Sequence, residues 1–127
     1  MFRLLLVDDE DAILRLLTAI LEVRDIAVTT ASSAREAVAL LGAKEFEVVL
    51  TDLRMETALA GYDVARAASQ LTPRPLILLL TASSPAAKDW QSTGADALLE
   101  KGTGALEIPE TIEGLLQGRE YPAASVA

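Results

Sequence analysis

Short apolar runs that do not alternate with polar residues recur along the chain, and segments of helical periodicity separate them. Such runs suit β-strands covered on both faces, as in a parallel sheet. The predicted strands are Arg3–Val7, Ile26–Thr30, Glu47–Asp52, Pro75–Thr81 and Asp96–Glu100. The predicted helices are Asp11–Arg24, Ser33–Ala43, Gly61–Leu71, Ala86–Thr93 and Pro109–Gln117. This alternation predicts an α/β three-layer sandwich with a five-stranded parallel sheet and right-handed crossovers.

Length and composition exclude several other classes of protein. The 127 residues suffice for one domain but not for a closed barrel of eight strand–helix units. With no cysteine and no histidine, the chain has no disulfide, no thiolate metal site and no imidazole base. No apolar run approaches the roughly 20 residues needed to span a membrane. We therefore expect a cytoplasmic protein without membrane contact.

The formal net charge of −8 indicates which partners the chain can attract. A strongly acidic surface repels nucleic acid, so we expect no direct nucleic acid binding. Cations and basic protein surfaces are the expected partners.

Polar side chains stand at the ends of four predicted strands. Asp8 and Asp9 follow the first strand, Asp52 ends the third, Thr81 ends the fourth and Lys101 follows the fifth. Carboxyl ends of parallel strands meet at one edge of the sheet, which is where ligands bind in open α/β sheets. Clustered carboxylates repel one another unless a cation compensates them. A lysine and a magnesium ion, which prefers oxygen ligands, would together do so.

Each of these residues also has an ordinary structural interpretation. Acids are favoured in the first turn of a helix, so the run from Asp8 to Asp11 could be capping alone. Asp52 could be a turn residue, Thr81 a strand end and Lys101 a solvated surface charge. Their joint placement at successive strand ends favours a functional site.

Four motifs carry a resemblance to a known family: "LLLVDDE", "VVLTDLRM", "ILLLTA" and "GADALLEKG", in that order. Together they resemble the receiver domain of two-component response regulators, over about residues 3 to 117. The resemblance implies a flavodoxin-like (βα)5 sandwich with strand order 2-1-3-4-5. It also implies a receiver domain over residues 1–118, a short tail over 119–127, and no output domain within this chain.

The resemblance implies a role for each matching residue. Asp52 resembles the aspartate that accepts a phosphoryl group from a partner's phosphohistidine. Asp9 resembles a direct Mg²⁺ ligand and Asp8 a ligand acting largely through water. Asp52 and the backbone carbonyl of Arg54 would complete the protein ligands of the metal. Thr81 and Lys101 resemble the hydroxyl and the lysine that contact the phosphoryl group. Such a chain is expected to be a phosphoacceptor that assists its own phosphorylation and dephosphorylation, rather than an enzyme.

The implied partners are a sensor histidine kinase or a histidine phosphotransfer protein, and a downstream effector protein or a missing output domain. Two other functions stay open. One is a degenerate receiver that only binds proteins. The other, less favoured, is an aspartyl-phosphate phosphatase; such enzymes normally carry a second aspartate two residues after the nucleophile, where this chain has Arg54.

The chain departs from the family pattern at several positions. Glu56 stands where the family usually has a proline, and Gly61 comes one residue later than usual. Gly102 replaces the proline that normally follows the lysine, and we expect the bond before it to be trans. Leu98 replaces an aromatic residue that usually takes part in switching.

Overall fold

The computed structural model describes residues 2–81, 90–100 and 105–120, with side chains to residue 118. Within these ranges the strands are β1 (Arg3–Val7), β2 (Ala27–Ala31), β3 (Val48–Asp52), β4 (Leu76–Thr81) and β5 (Ala97–Glu100). The α-helices there are α1 (Asp11–Glu22), α2 (Ala34–Ala43), α3 (Ala60–Ser69) and α4 (Ile108–Glu120). Short 3-10 helices cover Trp90–Thr93 and Ala105–Glu107. The first half of the fourth predicted helix, and the Lys101–Gly102 bond, lie outside the described residues.

All five strands are parallel and lie in the order β2-β1-β3-β4-β5. The predicted flavodoxin-like fold is therefore confirmed. Two register pairs show where the strands end. Val7 pairs with Thr51, and Thr81 pairs with Glu100. The carboxyl ends of β1, β3, β4 and β5 consequently reach the same edge of the sheet, with β2 completing it next to β1.

The central strands are buried on both faces, as their unbroken apolar sequences predicted. Residues alternate between two core clusters because successive side chains of a strand point to opposite faces. One face packs Leu5, Val49 and Ile77 against α2 and α3, and the other packs Leu4, Leu50 and Leu78 against α1 and α4. Full burial of such a side chain stabilises the fold by about 1.5–3 kcal/mol. This core makes the sheet a rigid support for the residues at its edge.

Several ends of elements follow from local hydrogen bonding. The Ser33 side chain caps α2 by accepting from the backbone N–H of Glu36 at 3.1 Å. Glu36 reaches back to the N–H of Ser32 at 2.6 Å, an arrangement close to a capping box. The helix α2 ends at Ala43, the last residue of the predicted helix. Pro109 lies in the first turn of α4, as predicted.

The described helices include none that is both long and apolar enough to cross a membrane. The last of them, α4, continues to Glu120, two residues into the segment predicted as a tail.

A cis peptide bond joins Thr72 and Pro73 between α3 and β4.

Candidate functional site

Asp8 and Asp52 leave adjacent strands side by side. Val7 of β1 pairs with Thr51 of β3, so the next residues, Asp8 and Asp52, lie level with each other. Neighbouring strands are about 4.8 Å apart. Asp8 is 0% exposed and Asp52 is 5% exposed. Two carboxyl groups are thus buried at one edge of the sheet, a placement that proteins avoid unless the groups are compensated.

Thr81 is the third buried polar residue at this edge, with 4% of its surface exposed. It is the last residue of β4 and follows Leu80, the register partner of Asp52. The structure therefore brings together Asp8, Asp52 and Thr81, as the sequence predicted. Lys101, the fourth member of the predicted set, lies outside the described residues.

The acidic run after β1 leads into α1, and the N-cap side chain makes no hydrogen bond that caps this helix. The backbone N–H of Asp8 donates to Ala31 O at 3.1 Å, and Asp8 Oδ1 accepts from the N–H of Glu10 at 2.9 Å. Glu10 is the N-cap of α1, yet its side chain makes no capping hydrogen bond. Asp11, in the first turn, forms an exposed ion pair with Arg15 at 2.7 Å. Capping alone therefore does not account for Asp8, Asp9 and Glu10.

These three acids form a group of carboxylates. Within the described part of the chain, one carboxylate oxygen from each of Asp8, Asp9 and Glu10 lies within 4.8 Å of the others. Unit charges 4 Å apart repel by about 4 kcal/mol at an effective dielectric constant near 20. A bound cation would relieve that repulsion, and a set of oxygen donors fits a hard cation such as Mg²⁺. The donor chemistry therefore fits the metal that the sequence predicted.

The group differs in membership from the predicted ligand set. Glu10 belongs to it, although the sequence indicated Glu10 only as part of the acidic run from Asp8 to Asp11. Asp52 is not a member of it and stands on the neighbouring strand. Asp9, the expected direct ligand, is exposed, whereas Asp8 is buried.

The loop after β3 is fixed at both ends by backbone hydrogen bonds. The N–H of Leu53 donates to Leu80 O at 3.0 Å, and the N–H of Gly61 donates to Leu53 O at 2.8 Å. Within the loop, the N–H of Met55 donates to Thr57 O at 3.0 Å. Arg54 is exposed between these fixed points, so its backbone is held beside the end of β3.

Gly61 allows α3 to begin against the end of β3. A Cβ atom there would lie 2.7 Å from the Leu53 Cα and would also collide with the backbone oxygen of Asp52. Only glycine permits this close approach of two backbones. The extra loop residue before Gly61 is therefore accommodated while the glycine keeps its contact with Asp52.

The pKa of Glu56, in the same loop, is lowered from its ordinary value. The main cause is the hydrogen bond from the backbone N–H of Ala34, with a further one from Arg35. Both donors belong to the first turn of α2. The sequence pointed to Glu56 only as a departure from the family pattern and gave no signal for this contact.

The five-stranded parallel sheet, with Asp8 and Asp52 buried where its strands end, is that of a flavodoxin-like α/β protein. Comparisons with known proteins identify the family. The sequence model described as "Response regulator receiver domain" matches residues 4–113. The chain therefore belongs to the response regulator receiver domain family.

Among curated proteins, the alginate biosynthesis transcriptional regulatory protein AlgB of Pseudomonas aeruginosa is 42% identical over 82 residues. That alignment covers 65% of this chain and 18% of AlgB, so the chain corresponds to a small part of that relative.

Solved structures agree with this assignment. The response regulator TrrA from Thermotoga maritima, in complex with Mg²⁺-BeF, is 30% identical with a TM-score of 0.80, over 91% of this chain and 99% of that one. A CheY-like receiver domain protein from Methanospirillum hungatei is 28% identical with a TM-score of 0.83, over 93% and 95%.

Proposed function

We propose that the chain accepts a phosphoryl group on Asp52 in a Mg²⁺-dependent reaction and thereby changes its contacts with other proteins. The observation that carries this proposal is the burial of Asp8, Asp52 and Thr81 together at the carboxyl edge of the sheet. Burial of polar side chains costs free energy unless their polar atoms find partners, so three of them at one edge of the sheet favour a functional site.

In the proposed reaction, a carboxylate oxygen of Asp52 attacks the phosphorus of a phosphohistidine on a partner protein. A P–O bond forms, the P–N bond breaks, and the imidazole of the partner leaves. Thr81 provides a hydroxyl that donates to a phosphoryl oxygen, and Lys101 provides a positive charge for another. These groups act by positioning and by charge stabilisation, since phosphoryl transfer requires little else from the protein.

The proposed Mg²⁺ ligands are Asp8, Asp9, Asp52 and the backbone carbonyl of Arg54, with Glu10 contributing charge at the same place. When bound, the metal would neutralise charge on the phosphoryl oxygens. The resemblance to TrrA, crystallised with Mg²⁺-BeF, supports this assignment. We infer that the chain is a phosphoacceptor rather than an enzyme acting on a separate substrate.

The proposed phosphodonor is a sensor histidine kinase or a histidine phosphotransfer protein, and helix α1 is its proposed docking element. Leu14, Leu17 and Leu21 are buried in the core, whereas Leu16 is 51% exposed. Ile13 and Ile20 are partly buried against the core. An exposed leucine on the helix that begins at the acidic run suits contact with a partner helix that carries the phosphohistidine.

The proposed recipient of the signal is a downstream effector protein or an output domain outside this chain. AlgB is by name a transcriptional regulator, and the part of it that matches here is 18% of its length. The absence of nucleic acid binding and the cytoplasmic location of this chain stay predictions.

Asp52→Asn provides the main test. Wild-type protein is incubated with MgCl₂ and acetyl phosphate, and intact-mass analysis should show a gain of one phosphoryl group that mild base removes. Asp52→Asn should show no gain and stay folded, because the substitution removes a buried charge among other acids. Asp63→Asn is the matched control: Asp63 is exposed on α3, where it pairs with Arg66 at 3.6 Å, and it should be phosphorylated as the wild type is.

The same experiment separates the two alternatives. No mass gain in the wild type would indicate a receiver that acts only as a binding module. Continuous release of phosphate over many turnovers would indicate a phosphatase. Phosphorylation of Asp52→Asn to the wild-type level would show that the phosphoacceptor has been misassigned.

A further inference from the structure

The Glu56 carboxylate connects the loop after β3 to the beginning of α2. Its Oε1 accepts from the N–H of Ala34 at 3.0 Å, and its Oε2 accepts from the N–H of Arg35 at 3.3 Å. The two segments are 22 and 21 residues apart along the chain, so this contact is tertiary rather than local. It is also bidentate, which restricts the orientation of the Glu56 side chain more than a single bond would.

Ser33 and Glu56 together accept the hydrogen bonds of the backbone N–H groups in the first turn of α2. Ser33 Oγ accepts from Glu36, and Ser33 O accepts from Ala37 at 3.0 Å. Glu56 accepts from the remaining two, Ala34 and Arg35. The negative charge of Glu56 also lies at the positive end of the helix dipole, which favours it there.

On the loop side, Glu56 lies within a tight turn next to the end of β3. The hydrogen bond from Met55 N–H to Thr57 O spans Glu56, so fixing the Glu56 side chain also fixes this turn. Arg54 precedes the turn, and Leu53 before it is held by Leu80 and Gly61. The backbone at Arg54 is therefore held from the sheet on one side and from α2, through Glu56, on the other.

We propose that Glu56 is a positioning residue that holds the backbone carbonyl of Arg54 in place for Mg²⁺ by anchoring its loop to the first turn of α2. This inference rests on the proposed function, since it assigns a supporting residue to the same metal site. Glu56 itself is not a ligand in this arrangement. A proline at this position would restrict the loop through its ring. Glu56 restricts the loop instead through two hydrogen bonds to α2.

The test compares three variants in amide NMR titrations with MgCl₂. Glu56→Ala should weaken Mg²⁺ binding by about tenfold, the lower end of what loss of a residue supporting a metal ligand usually costs. Glu56→Gln keeps one acceptor oxygen and should recover part of that loss. Ser33→Ala is the matched control: it removes a cap from the same end of α2 without touching the loop, so it should lower the melting temperature but leave Mg²⁺ affinity within about twofold.

Amide hydrogen exchange, measured without metal, reads the contact directly. Glu56→Ala should speed exchange at Ala34 and Arg35, whereas Ser33→Ala should speed it at Glu36.

Unchanged Mg²⁺ affinity in Glu56→Ala, beside a wild type that binds Mg²⁺, would overturn this inference and leave the proposed function standing. Equal weakening by Ser33→Ala would also overturn it, because any loosening of α2 would then suffice. A wild type that does not respond to Mg²⁺ would instead refute the metal site itself, and this inference with it.

Discussion

At the residue scale, Arg3 and Glu47 form an ion pair with several hydrogen bonds at the amino edge of the sheet. Arg3 Nη2 lies 2.7 Å from Glu47 Oε2, and the backbone N–H of Arg3 donates to Glu47 Oε1 at 2.6 Å. The Arg3 side-chain hydrogen bond is the main cause that lowers the pKa of Glu47 from its ordinary value of 4.5. The pair joins the beginnings of β1 and β3, the strands that carry Asp8 and Asp52.

Glu47→Gln should destabilise the protein at neutral pH but not in acid. A carboxyl group whose pKa is lowered by folding contributes stability above its unfolded pKa, and this contribution is lost as the pH falls through the folded value. The difference in melting temperature between wild type and variant should be no more than about 3 °C at pH 7, since both side chains are partly exposed, and should shrink as the pH falls and Glu47 becomes protonated. Thermal melts from pH 3 to pH 8 provide the measurement. A difference that grows in acid would contradict this role.

The residues of the candidate site were predictable from the sequence to the extent that strand ends were predictable. Asp8, Asp52 and Thr81 end runs of apolar residues, and parallel pairing then brings them to one edge whatever the loops do. The hydrogen bonds of Glu56 to Ala34 and Arg35 depend on the path of a loop and on where α2 begins. No periodicity or spacing encodes such a contact.

At the element scale, α1 has neighbouring leucines with different surroundings. Leu17 is 4% exposed and packs in the core between α1 and the sheet, whereas Leu16 is 51% exposed. Leu17→Ala should therefore lower the free energy of unfolding by about 2–5 kcal/mol, and Leu16→Ala by about 0.5 kcal/mol or less. Urea unfolding measures both.

Leu16→Ala also tests the proposed docking role of α1. It should slow phosphoryl transfer from a histidine kinase that phosphorylates the wild type, while leaving transfer from acetyl phosphate unchanged. Equal slowing with both donors would place the defect in the site rather than in docking.

The ends of elements show what the sequence could not specify. The helix α1 was predicted to reach Arg24 but ends at Glu22, and Asp25 adopts a positive φ of 61°. Because glycine is the usual residue in this conformation, an aspartate there gives no clear stop signal. Ile26, predicted as the first residue of the second strand, donates its N–H to Leu21 O instead at 3.4 Å, so β2 starts at Ala27.

At the scale of the whole molecule, a net charge of −8 and a group of acids at one edge link metal binding to stability. A ligand that binds only the folded state stabilises it by RT ln(1 + [L]/Kd), which is about 1.4 kcal/mol at ten times the Kd. We expect MgCl₂ to raise the melting temperature accordingly, beyond the effect of NaCl at the same ionic strength. Asp9→Ala should abolish this excess.

Asp11→Ala is the control for that measurement. It changes the net charge by the same amount and lies two residues away, but Asp11 is exposed, pairs with Arg15 and is not part of the group of carboxylates. It should keep the Mg²⁺ response. Loss of the response in both variants would mean that Mg²⁺ only screens the overall charge.

The separation between the two edges of the sheet has a practical consequence for labelling. A five-residue strand is about 17 Å long, roughly twice the Debye length at physiological ionic strength. The chain contains no cysteine, so a single thiol introduced at the exposed Glu45, near the amino edge, would be unique. A fluorophore or a surface attachment there would stay remote from Asp52, so that the same labelled molecule could report binding partners without disturbing the proposed phosphoacceptor site.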